Sequence, residues 1–238
     1  MTEAPAVNRP YPPVTICGLT LPHEAAQCAG LGADAIGVVF FQKSPRHLTA
    51  DQARAVVGAL PETVAAVGVF VDATFSYIMA RVERCGLSMV QLHGRESARL
   101  AARLRAEGVG VIKVLFVDGR PGFDDALEFD VDGYLVECTK GPLPGGNAMA
   151  WDWGAARAFG HRQLLVLAGG LSPDNVAEAV RAALPAAIDV SSGVEMSPGR
   201  KDPDKVARLI GAVQGTAEQC AAKTIKAVFR PKGQRPDA

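Results

Sequence analysis

The feature that most limits how this chain can fold is a recurrence. Short apolar runs rich in Val and Ile occur at residues 14–17, 35–40, 65–70, 89–92, 109–115, 133–136, 164–168 and 187–190. Each run is apolar without alternation and shorter than a typical helix. Runs of this kind suit parallel strands buried on both faces. Between them lie Ala-rich stretches with helical spacing, such as 50–57, 97–105 and 174–183. Eight strands alternating with helices predict an α/β fold, a single (β/α)8 TIM barrel. An open doubly wound sheet competes with it. That sheet would place a G-x-G-x-x-G after the first strand, where Gly18 stands alone.

Helix boundaries agree with this alternation. Thr49 stands three residues before Gln52, the spacing of a capping box. Ser172-Pro173 predicts a serine cap with proline at the first helical position, and Asp202-Pro203 repeats the pattern for the last helix. The fifth helix, 121–127, is the weakest, being short and flanked or diluted by Gly119 and Gly122. The chain has 238 residues, the size of one barrel of about 250. We expect the barrel domain at 14–215, a floppy proline-bearing leader at 1–13, and a C-terminal extension at 216–238. That extension should be helical to about residue 229 and a charged, disordered tail from 230.

Composition excludes several partners. Lys+Arg and Asp+Glu are both 25, so no basic excess points to nucleic acid or an anionic membrane. No apolar run reaches the ~18 residues of a membrane span, and the leader lacks a secretion-signal pattern. Five cysteines, without a C-x-x-C, suit reduced thiols in the cytoplasm better than disulfides or a zinc ribbon. His23, His47, His93 and His161 are isolated, so no metal is expected.

In a barrel the reactive groups lie at the C-terminal ends of the strands. The last two strands run into polar glycine loops, Gly169-Gly170-Leu171-Ser172 and Ser191-Ser192-Gly193. Either alone could be an ordinary tight turn. As a pair at the last two strands they suggest a phosphate site. Cys17 ends the first strand and could be a base, a nucleophile or an inert buried thiol. Glu137 ends the sixth; a desolvated carboxyl can act as a general acid near neutrality, or it could pair with Lys113 or Arg46. Arg46 offers a forked contact to an anion, or a solvated surface charge. His93, after the fourth strand, could touch a ligand or simply pack.

These residues sit in a wider pattern. It comprises Ile16-Cys17-Gly18-Leu19-Thr20, Gly32-Ala33-Asp34-Ala35-Ile36-Gly37 leading to Lys43-Ser44-Pro45-Arg46, and Val67-Gly68-Val69-Phe70-Val71. It continues with Val90-Gln91-Leu92-His93-Gly94, Trp151-Asp152-Trp153, Leu167-Ala168-Gly169-Gly170-Leu171 with Asn175-Val176, and 189–195 with Pro198-Gly199 and Lys201-Asp202. Over nearly all of 14–213 the chain resembles the phosphoribosylanthranilate isomerases, TIM-barrel enzymes of tryptophan biosynthesis. The resemblance implies an Amadori rearrangement of a phosphorylated sugar-arylamine, N-(5-phosphoribosyl)anthranilate, without metal or cofactor, in a monomer or homodimer. It implies Cys17 as general base and Glu137 in the place of the general acid. It further implies Arg46, His93 and Asp189 on the substrate, and Gly169, Gly170, Ser191, Ser192 and Gly193 on its phosphate.

Three positions depart from the family pattern. Thr15 stands where a lysine is usual, Glu137 where aspartate is usual, and Ala148 where the loop Gly145-Gly146-Asn147-Ala148 would end in glycine. The changes lie on the acid's side, and the base and phosphate loops are kept. A divergent relative acting on another phosphoribosyl-arylamine or sugar phosphate therefore stays open, as does a non-catalytic phosphosugar-binding barrel.

Overall fold

The computed structural model describes residues 10–138, 150–220 and 228–232. The apolar runs form β1 (Val14–Cys17), β2 (Ala35–Val39), β3 (Ala65–Phe70), β4 (Met89–Leu92), β5 (Gly110–Phe116), β6 (Gly133–Glu137), β7 (Leu165–Leu167) and β8 (Ala187–Val190). They pair in parallel in sequence order, and β8 closes on β1 with Thr15 beside Asp189. Closure disposes of the open sheet. Around the barrel lie α1 (Pro22–Gly30), α2 (Ala50–Gly58), α3 (Phe75–Cys85), α4 (Ala98–Ala106), α5 (Arg157–Gly160), α6 (Val176–Ala183) and α7 (Pro203–Gln214), with α8 (Ala217–Cys220) after them. None of these helices is long and apolar enough to cross a membrane.

Both faces of each strand are buried, which is why the runs do not alternate in polarity. Ile16, Ile36, Val90, Leu92, Val136, Leu167 and Ile188 pack outward in the main core with the helices. Ala35, Val67, Met89, Ile112, Leu135, Val166 and Ala187 fill the barrel interior. The period of two then assigns Thr15, Cys17, Gln91, Glu137 and Asp189 to the inner face. Lys113, between inward Ile112 and Val114, falls on the outer face.

The capping box at α2 forms, with Gln52 N–H donating to Thr49 Oγ1 at 3.3 Å and Thr49 N–H to Gln52 Oε1 at 2.9 Å. Asp202 caps α7, accepting from the amides of Asp204 and Lys205. The Ser172 cap is a correction. Regular α6 opens at Val176, and Ser172 instead donates its N–H to Asn175 Oδ1 at 2.8 Å. Asn175 Nδ2 reaches back to Gly170 O at 2.9 Å. The polar side chain thus closes the loop before the helix begins. The expected fifth helix is a 3₁₀ turn, Phe123–Glu128, whose Asp125 carboxylate accepts the Gly122 amide.

Both ends of the chain need correction too. Within the expected leader, Tyr11 packs on the core and Pro13 O accepts Ile188 N–H at 2.9 Å. Within the expected tail, Val228 enters the interior cluster beside Ala35, Ala65 and Met89. Ser88 Oγ donates to Arg230 O at 2.8 Å, and Arg230 pairs with Asp132. Lys232 N–H donates to Val64 O. These partners stand at the starts of strands, so residues 228–232 cover the bottom of the barrel, opposite the mouth. The loop 145–148 and the helical stretch expected at 221–227 lie outside the described residues.

Candidate active site

At the mouth, the inner faces of β1, β6 and β8 bring Cys17, Glu137 and Asp189 together, and His93 joins them just past β4. Between β6 and β8, just past β7, the small Ala168 is buried in the interior cluster. Glu137 does not pair with Lys113 or Arg46. Its Oε1 meets His93 Nε2 at 2.7 Å, both side chains being buried. His93 Nδ1 in turn meets Gln91 Nε2 at 2.8 Å.

Lys113 lies on the other side of the sheet, and β5 continues past it to Phe116. Its ammonium is fully buried and donates to Leu92 O at 3.0 Å, Gly94 O at 2.7 Å and Glu96 Oε2 at 2.8 Å. Glu96 also accepts the amides of Asp72 and Gly94. A buried ammonium with three acceptors is satisfied. It clamps the two carbonyls on either side of His93.

Arg46 is buried, not a solvated loop charge. Its side chain crosses Gly18, where a Cβ would come within 2.4 Å of Arg46 Cδ. Its fork is already occupied: Nε donates to Glu195 Oε1 at 2.8 Å and Nη2 to Oε2 at 2.6 Å. The Nη1 edge is not used in this pair. Lys201 adds a second cation, donating to Glu195 Oε1 at 2.8 Å and to Ser191 O at 2.9 Å. Burial pulls the Glu195 carboxyl upward, but Arg46 and Lys201 outweigh it and hold it below its ordinary value. Glu195 begins a hairpin of β9 (Glu195–Ser197) and β10 (Arg200–Lys201), which hangs this cluster over the mouth.

Burial favours the protonated forms of Asp189 and Cys17. Burial, then the Glu137 carboxylate, pushes Asp189 up to about 7, opposed by His93 and Lys201. Burial and the Asp189 charge push the Cys17 thiol up, while Lys201 and Arg46 pull it down. Unliganded, Cys17 therefore rests as the thiol.

The two glycine loops touch. A Cβ at Gly193 would lie 1.8 Å from Leu171 O, a clash no rotamer relieves. Gly169 and Gly170 both hold positive φ, +84° and +69°, which glycine adopts without strain. Trp151 Nε1 donates to Ala168 O at 3.0 Å, and Trp153 Nε1 to Gly169 O at 3.2 Å. Ser191 and Ser192 precede Gly193, and Ser192 opens a 3₁₀ turn, Ser192–Val194. Among the described residues, no group of His, Cys, Asp and Glu is arranged to hold a metal.

A family model, described as N-(5'phosphoribosyl)anthranilate (PRA) isomerase, matches residues 14–212. The chain belongs to this isomerase family. An N-(5'-phosphoribosyl)anthranilate isomerase of Desulfatibacillum aliphaticivorans is 52% identical over 197 residues, which cover 83% of this chain and 90% of that one. The crystal structure of phosphoribosyl anthranilate isomerase from Thermotoga maritima is similar with a TM-score of 0.78 at 37% identity, covering 86% of this chain and 99% of that one. A phosphoribosyl anthranilate isomerase in complex with reduced 1-(o-carboxyphenylamino)-1-deoxyribulose 5-phosphate is similar at 0.75 and 36% identity, over the same shares of the two chains.

Within this isomerase barrel, Cys17, Glu137, His93 and Asp189 meet in one mouth, Arg46 crosses Gly18 beside Cys17, and the five residues of the glycine loops form the adjoining rim. Sequence reasoning missed Glu195, Lys201 and Gln91. Lys201 and Glu195 stood in the quoted motifs, and their opposite charges six residues apart were the available signal. Gln91 stood in a quoted motif as well, and its available signal was its inward parity with His93, two residues on.

Proposed function

We propose that this chain is a phosphoribosylanthranilate isomerase, converting N-(5-phosphoribosyl)anthranilate into 1-(2-carboxyphenylamino)-1-deoxyribulose 5-phosphate. The observation that carries the reading is that a thiol from β1 and a carboxyl from β6 share one inner face. Glu137 gives its proton to the ribose ring oxygen. The C1–O bond breaks and the aniline nitrogen becomes an iminium. Cys17, deprotonated in the complex, takes the proton from C2, and the electrons move to neutralise the iminium. The resulting enol loses its hydroxyl proton and gains one at C1, giving the C2 ketone. Each positioned acid or base speeds such a step by roughly 10²–10⁴-fold.

Arg46, through the Nη1 edge that Glu195 does not use, takes the anthranilate carboxylate. Asp189 and His93 line the sugar. The phosphate sits between the two glycine loops. Trp151, Trp153 and Asn175 hold the carbonyls of Ala168, Gly169 and Gly170. In a planar trans peptide the N–H points opposite the C=O, so the amides of Gly169, Gly170 and Leu171 are each aimed away from these donors and are the groups the loop offers an anion. We place the enzyme in the cytoplasm, where a thiol at Cys17 stays reduced.

The test is growth without tryptophan of cells lacking the isomerase, together with turnover of the purified chain. Growth that is lost with Cys17→Ser and Glu137→Gln, with turnover down by roughly 10²-fold or more, supports the reading. Wild-type turnover in either variant refutes the assigned role. A chain that binds the reduced product analogue but never turns over is a phosphosugar-binding barrel instead.

A further inference from the structure

We infer that Gln91 is a positioning residue for the acid Glu137, acting by holding the His93 ring in one tautomer. The inference rests on the acid role proposed above for its kinetic consequence alone.

Three polar side chains stand in line on inner positions of β4 and β6. Gln91 Nε2 lies 2.8 Å from His93 Nδ1, and His93 Nε2 lies 2.7 Å from Glu137 Oε1. All three residues are buried. Oε1 accepts from Nε2–H both in the carboxylate and in the acid that carries its proton on the other oxygen, the one free to serve the mouth, so Nε2 carries the hydrogen. In a neutral ring Nδ1 is then the acceptor, and the Gln91 amide N–H is the donor it faces. With the Gln91 amide nitrogen toward the ring and Oε1 of Glu137 as acceptor, both contacts have the right polarity in this tautomer alone.

The ring cannot slide to escape this choice. Lys113 holds the carbonyls of Leu92 and Gly94 on either side of His93, and His93 N–H donates to Phe70 O at 2.8 Å. Backbone and ring are thus fixed by different partners. The consequence falls on Glu137. A glutamate has one more rotatable bond than an aspartate and more ways to miss. With Oε1 tied to an Nε2–H of fixed position, the other oxygen is left to serve the mouth. Losing the tautomer would turn a lone pair of Nε2 against Oε1 and swing the carboxyl away. A displacement of about 1 Å can cost on the order of 10²-fold in rate.

The titratable groups that interact with this line are Cys17 on β1 and Asp189 on β8, and Lys201 on β10 and Arg46 past β2 act in turn on those two. Among the described residues the hydrogen-bond partner of Nδ1 is Gln91, so that contact can be changed without moving these groups.

The experiment uses the full chain without ligand and reads the ring nitrogens by 15N NMR, with His93→Asn assigning the signal. The parent should show His93 protonated at Nε2 alone near neutral pH. Gln91→Met should give a mixture of tautomers. Gln91→Glu, which offers an acceptor to Nδ1, should give a ring protonated at both nitrogens. In turnover, Gln91→Met should lower kcat by roughly tenfold to a hundredfold, with KM moving less than about twofold. An unchanged tautomer in both variants overturns the lock. A raised KM with kcat intact overturns the positioning role, since Gln91 would then only shape the pocket. A parent with the expected tautomer and no isomerase turnover refutes the proposed function while the lock stands.

Discussion

Asp189 is held where its ionisation is opposed. Its ordinary value is 3.8, and in the folded protein it rises to about 7. Between those values the folded chain keeps a proton that the unfolded chain has lost. Its stabilising contribution is therefore full below about pH 4 and is lost as the pH rises through about 7. Denaturant unfolding of the parent and of Asp189→Asn across this range should show the fall in stability flattened in the variant. An identical slope would assign it to another group. Thr15, beside Asp189 in the β1–β8 register, has a buried hydroxyl with no hydrogen-bond partner among the described residues. An unsatisfied buried hydroxyl costs about 1–3 kcal/mol. Thr15→Val should raise the melting temperature by about 2–4 °C, for a gain of about 1 kcal/mol. A drop would mean that the hydroxyl is satisfied in solution. The polar roles at this scale were only half legible. Cys17 and Glu137 stood out as reactive groups ending apolar strands. Their actual neighbours, Asp189 and His93, are far away in sequence and were drawn together by barrel closure.

At the scale of elements, the loops after β7 and β8 behave as one unit. The Gly193 backbone rests on the Leu171 carbonyl, so a Cβ there must force the loops apart. Gly193→Ala should raise KM for the phosphorylated substrate by roughly tenfold or more, a single lost charge-assisted hydrogen bond being worth about 1.5–3 kcal/mol. Its kcat should fall less. Steady-state kinetics checks this, and an unchanged KM would remove the phosphate from these loops. The strands were legible to within a residue or two, because burial on both faces leaves an unbroken apolar run. The α6 start was not, since Asn175 tied the loop into a turn that no local propensity announces. Lys113 shows the same limit. A lysine near the end of β5 looked like a partner for Glu137, but strand parity sends it to the outer face and Glu96.

At the scale of the whole molecule, the mouth carries the chemistry and the other end is closed by the chain itself. The matched family region stops at residue 212, and residues 228–232 lie beyond it. Val228 is buried in the barrel interior, and Arg230 and Lys232 pair with Asp132 and Glu62. Fully burying a Val side chain stabilises by about 1.5–3 kcal/mol, whereas partly exposed ion pairs add less than about 1 kcal/mol. A chain ending at Ala227 should melt about 4–8 °C lower for a loss of about 2 kcal/mol. Its kcat/KM should stay within about twofold, because the lost contacts are at the opposite end from Cys17 and Glu137. A large fall in turnover without a fall in melting temperature would place the segment in catalysis.

The sequence by itself determined the strand and helix order, the expectation of a barrel, and which end would carry the chemistry. Those follow from the burial of each segment, and burial is written locally in apolar periodicity. That the sheet closes was decided by the pairing of β8 with β1. Only the tertiary structure decided which polar groups are partners: Glu137 with His93, Arg46 with Glu195, Lys113 with Glu96, and the tail with the barrel floor. A charge or hydrogen bond is satisfied by whatever lies within about 3 Å, and that distance is set by strand parity and closure rather than by spacing along the chain.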